Sequence, residues 1–105
     1  MILVYITNPN KKTAHKIGKY LVEKRLCACV NIFPIESYYW WKGKIEKAKE
    51  WVVIAKTLEK NYEKIKKEIK NIHPYTVPCI LKIKAESNEE YLDWLKREVE
   101  KSVEK

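Results

Sequence analysis

The sequence contains no glutamine, two glycines, two arginines, one phenylalanine and three cysteines among its 105 residues. Each shortage excludes something. With only Gly18 and Gly43, no Walker-type loop or other glycine-rich phosphate cradle can be drawn. An odd number of cysteines excludes a complete disulfide framework. In a cytosolic mesophile the thiols stay reduced; hyperthermophiles are the exception, so one bridge stays open. No apolar run approaches the ~18 residues of a membrane span, and no signal peptide opens the chain. The expectation is a cytoplasmic protein with no membrane partner. No Ser/His/Asp or Cys/His spacing forms a triad, so no enzyme activity is expected.

What is present is lysine. The net charge of +8 comes from 20 Lys and 2 Arg against 14 acids. A basic chain raises the question of an anionic partner. Acids are interspersed, however, as in "EKNYEKIKKEIK", which suits solvated helix faces with i,i+4 pairs better than a phosphate-binding stripe. Arginine, the better fork for phosphates and bases, is nearly missing. Nucleic acid is therefore not the expected partner. Abundant Lys and Glu with no Gln and little Gly also fit a heat-adapted composition.

The length allows one domain, residues 1–105. "MILVYIT" reads as a strand buried on both faces. From Thr13, the spacing of Ala14, Ile17, Leu21 and Arg25 predicts a helix that ends near Leu26. Gly18 inside it points to a close helix–sheet approach. "CACVNIFPIESYYWW" is strand-like, and Pro34 places it at a sheet edge or a bend. Lys42-Gly43 makes a tight hairpin turn. "KIEKAKEWVVIAKT" is polar near the turn and apolar on both faces from Trp51 to Ala55. Tyr62, Ile65, Ile69 and Ile72 mark one face of a second helix that His73-Pro74 stops. "VPCILKIKA" is a fourth strand. Ser87 and Glu90 have capping-box spacing, before a third helix with Tyr91, Leu95 and Val99 inward. The order βαββαβ plus a terminal helix predicts an α+β, ferredoxin-like antiparallel sheet in the order 4-1-3-2. Two helices cover one face, and the second and third strands form a long hairpin.

The stretches "VYITNPN", "LCACVNI", "SYYWWKGKIE", "HPYTVP" and "YLDWL", in this order across nearly the whole chain, resemble the CutA family, named for tolerance to divalent cations. So does Glu50 with Lys56-Thr57. The resemblance implies a homotrimer in which long hairpins project onto neighbouring subunits. It would explain four consecutive aromatic residues, Tyr38, Tyr39, Trp40 and Trp41. Their alternation puts two rings on each strand face, and an isolated hairpin cannot bury both pairs. They are the expected trimer interface.

Several residues are candidates for chemistry. Cys27 and Cys29 form C-x-C, and two soft ligands suit copper(I); the plainer reading is small buried hydrophobes. Cys79 reads as core and His15 as exposed. His73, at a helix end, is a third candidate for copper or another divalent metal ion; the plainer reading is a favourable contact with the helix dipole. The ligands proposed for bacterial relatives include a Cys in the first strand and a second His before "HPY". Ile6 and Ile72 hold those positions here. A fold likeness to PII-type signalling proteins implies an intersubunit cleft for a small anionic ligand, with Lys44, Glu46, Glu50, Lys56, His73 and Tyr75 as its polar content. In the expected sheet order His73 and Tyr75 are remote from the hairpin of their own subunit, so a neighbour's hairpin would complete the cleft. The leading reading is a non-enzymatic trimer tied to divalent-metal tolerance. The alternative is a small-ligand-sensing or scaffold module with no physiological metal.

Overall fold

Alternating apolar residues in Ile2–Asn8 form β1, with Ile2, Val4, Ile6 and Asn8 fully buried on one face and Leu3, Tyr5 and Thr7 half-buried on the other. The computed structural model describes residues 1–101 of the chain. β1 is the inner strand between β3 (Lys44–Thr57) and β4 (Ile80–Lys84), and β2 (Cys29–Trp41) closes the other edge. All pairs are antiparallel, in the order β2-β3-β1-β4. This is the expected order, with Pro34 on an edge strand. Burial of β1 on both faces is only partly met, since its second face keeps some exposure.

Helices α1 (Lys11–Glu23) and α2 (Tyr62–Ile72) cover the face that carries Ile2, Val4 and Ile6. α1 starts two residues earlier than its apolar spacing predicts, because the Asn10 side chain accepts from the Thr13 N–H at 2.8 Å and caps the first turn. It also ends earlier. Arg25 has a φ of 55°, Leu26 N–H reaches the Leu21 carbonyl, and Arg25 N–H reaches that of Val22. That is a Schellman ending with Arg25 where glycine is usual. Arg25 therefore leaves the helix's inward face, and its Nη1 meets the Glu98 carbonyl at 2.9 Å and Oε1 at 3.2 Å. A Cβ on Gly18 would lie 3.1 Å from Val30 Cγ2, so the expected close approach is real.

On α2, Ile65 and Ile69 are buried and Tyr62 is half-buried, its hydroxyl donating to the Ile80 carbonyl at 3.0 Å. Ile72, expected inward, is exposed. α3 (Glu89–Glu100) lies on the other sheet face, where Lys56 Nζ stands 5.5 Å from the Tyr91 ring. Leu95 and Val99 point inward as expected. The capping box does not form: Asn88, one residue on, is the cap, and the Ser87 hydroxyl donates to the Asn88 carbonyl. Among the described residues no helix is long and apolar enough to cross a membrane.

Candidate functional site

Lys42 and Gly43, with φ of 50° and 78°, make the two-residue turn that joins Trp41 to Lys44. Both residues at positive φ give the hairpin a turn whose twist matches its strands. β2 and β3 run beyond the helix-covered sheet and carry the aromatic run outward. Tyr38 and Trp40 are 70% and 73% exposed on one hairpin face, while Tyr39 and Trp41 are less so on the other. Ile45, paired with Trp40, is also exposed.

Beside the hairpin stands the loop after α2. His73 caps the helix in an extended conformation, as the proline after it requires. Its ring is fixed at both nitrogens. Nε2 lies 2.8 Å from the Thr7 carbonyl, and the Tyr75 N–H donates to Nδ1 at 3.0 Å. Since Nδ1 accepts, Nε2 carries the hydrogen. Tyr75 in turn donates its hydroxyl to Glu50 Oε2 at 2.7 Å. Glu50 is only 7% exposed. A groove of about 620 Å³ opens between this loop and the hairpin. Tyr39, Trp41 and Tyr75 line it together with Glu50, and Thr7 and Cys79 lie at its wall.

The expected separation of Tyr75 from the hairpin strands within one chain is thus corrected. The loop crosses the end of β1 at Thr7, and one interstrand step of about 4.8 Å brings the phenol to β3. Of the six expected cleft residues, His73, Tyr75 and Glu50 come together in one chain. Lys44 and Glu46 share Glu50's sheet face but lie exposed toward the tip. Lys56 lies six residues the other way along β3, about 20 Å at the strand rise. It is paired with Cys29 and faces Tyr91, outside the groove.

The proposed metal donors do not converge. Cys27 precedes β2 and belongs to the buried core, where burial first and the neighbouring Cys29 second push its thiol up to about 12. A thiol so held resists the thiolate form a metal needs. Cys29 lies beside Lys56, at the opposite end of the sheet from Thr7 and His73. Both His73 nitrogens are engaged. Among the described residues no three His, Cys, Asp or Glu side chains gather as a metal site, and all three cysteines are free thiols. The residues present do not fit a shared copper centre within one chain. Cys79, expected in the core, is half-buried at the groove wall. His15 is exposed as expected. Thr7 and Cys79 carry no sequence signal of their own for this site.

Among the described residues, one charged side chain lines the groove, that of Glu50. Burial, then the bond to Glu50, raises the Tyr75 phenol well above its usual range, so it stays a neutral donor. Burial likewise raises the Cys79 thiol. Burial lowers His73 from its ordinary 6.5, against the opposing pull of the Thr7 carbonyl and Glu50. The folded chain then refuses a proton that the unfolded chain accepts near pH 6.5. The stability from neutral His73 is whole above that pH and is lost as pH falls through it toward the lower folded value. Melting should occur at a lower temperature at about pH 5 than at about pH 7.5, with a smaller drop in His73→Gln. Equal drops in the two proteins would assign the acid sensitivity elsewhere.

Comparison with known proteins points one way. The model of the CutA1 divalent ion tolerance protein family matches residues 2–98. The divalent-cation tolerance protein CutA of Archaeoglobus fulgidus is 48% identical over 98 residues, covering 92% of this chain and 96% of that protein. CutA1 from Pyrococcus horikoshii superposes with a TM-score of 0.91 at 45% identity, over 96% of this chain and all of that one. The PII-like protein CutA from Nostoc, in apo form, gives 0.88 at 31% identity, over 94% and 97%. From its second residue to the last turn of α3, the chain belongs to the CutA1 divalent ion tolerance protein family.

Proposed function

We propose that this chain serves divalent-cation tolerance as a non-enzymatic, cytoplasmic homotrimer, through a small ligand held in the groove. Copper or another divalent ion held by Cys27, Cys29 and His73 is the disfavoured route. The observation that carries this reading is the groove itself: a buried carboxylate and a phenol joined at 2.7 Å beside exposed hairpin rings. Its volume of about 620 Å³ falls in the range of small-molecule sites. The wide separation of the donors argues against the metal route. The exposed rings of Tyr38 and Trp40 support assembly, since a projecting apolar hairpin is normally covered by a partner. The PII-like designation of the Nostoc protein supports a ligand-responsive role by analogy alone.

Light scattering and copper(I) calorimetry on the same sample test the proposal. A mass three times that of the chain is expected, with copper binding weaker than about 1 μM and unchanged by His73→Ala. A monomer mass overturns the assembly. Copper binding tighter than that, lost in His73→Ala or Cys29→Ser, restores the metal route.

A further inference from the structure

We infer that the groove takes a small organic ammonium ion, seated on the Glu50 carboxylate beside the rings of Tyr39 and Tyr75. The inference rests on the groove being the ligand site and names the class of ligand. It reverses the sign expected from a PII-like cleft.

Its basis is the character of the lining. The chain holds 22 Lys and Arg residues, yet among the described residues none lines the groove. Its one charged side chain is Glu50. Glu50 has no cation within ion-pair distance among the described residues. Tyr75 gives one oxygen a neutral hydrogen bond, which satisfies a lone pair but does not balance a charge. The groups around Glu50 supply no positive charge at neutral pH. Tyr75 and Cys79 keep their protons as neutral groups, and His73 is neutral above its lowered range. Lys47, on the adjoining strand segment, lies over the Tyr38 ring on the other hairpin face, 5.6 Å from its centroid.

A buried carboxylate in a groove lined with aromatic side chains suits one kind of guest. Ring faces attract cations, and an alkylated ammonium has little hydration to lose on contact with them. A hard metal ion needs six or so oxygen ligands, and one carboxylate among rings cannot supply them. An anion would meet Glu50 with no counter-charge.

Choline chloride and its uncharged carbon isostere, dimethylbutanol, separate charge from shape. Both would be titrated into the wild-type protein in its native assembly, at physiological ionic strength. Binding is read by calorimetry. Choline is expected to bind at least about tenfold more tightly than the isostere. In Glu50→Gln the two should bind alike, at the isostere's own affinity. Equal binding on the wild type overturns the inference, and that comparison needs no variant to fold. A choline preference that survives in folded Glu50→Gln overturns it too. If choline fails while a carboxylate or phosphate ligand raises the melting temperature, the cation class falls and the ligand groove stands. If none of them acts, both fall.

Discussion

Trp40→Ala should break the proposed homotrimer while leaving the single chain folded. The ring is 73% exposed within its own chain, so truncation removes little there. Its cross-strand partner Ile45 and its neighbour Tyr38 are exposed as well, which makes a continuous apolar surface on one hairpin face. If a neighbouring copy covers that surface, the loss is that of a large buried aromatic, about 3–5 kcal/mol. Central aromatic residues dominate interfaces of this kind. Far-ultraviolet circular dichroism should be unchanged at low temperature. The scattering mass at micromolar concentration should fall toward that of one chain, and the melting temperature should drop and lose its dependence on protein concentration. Unchanged mass and melting would show that the ring touches no neighbour.

A loss of similar size, from a different cause, is expected for Ile6→Ala. Ile6 is fully buried at the centre of β1, opposite Val53 on one side and Ile80 on the other, under α1 and α2. Truncation removes buried methyl groups and leaves a cavity that a sheet paired on both sides cannot close. About 2–5 kcal/mol should disappear from the unfolding free energy, measured by denaturant titration. The proposed trimer should still form below the lowered transition. A cost under about 1 kcal/mol would mean that the helices collapse into the gap.

Much of the fold was legible in the sequence, because it follows from local periodicity. The apolar run of β1, the change from polar to apolar along β3, the proline of an edge strand and the Lys-Gly turn are short-range signals that folding does not override. Boundaries were less legible where side chains act as caps. Asn10 lengthens α1 at its start, and Arg25 takes a conformation usual for glycine, which no apolar spacing announces. The site was legible in its parts but not in its assembly. "HPY" marks a helix stop, yet nothing local says that its tyrosine reaches Glu50, 25 residues away in sequence. Lys56 could be placed at the end of its strand away from the hairpin, but nothing local says at which end of that strand the site forms. The charge of the groove was hidden because a net +8 describes the whole surface. The one carboxylate that matters is set apart from it by burial.

β3 is a single uninterrupted strand of 14 residues, and three different duties are written along it. Val53 and Ala55 belong to the core, Glu50 to the groove, and Ile45 to the outer hairpin. Side chains alternate with a period of two, so removing one residue between any two of these duties would turn one set to the wrong face. The strand therefore constrains how descendants of this sequence can change length. A hairpin that grows or shrinks by even numbers of residues in each strand, beyond Glu50, keeps the core and the groove in register. An odd change exchanges the two hairpin faces and carries Ile45 and Trp40 to the side of Tyr39 and Trp41. Variation in this protein's reach should be quantised in pairs, with the groove as the fixed origin from which the pairs are counted.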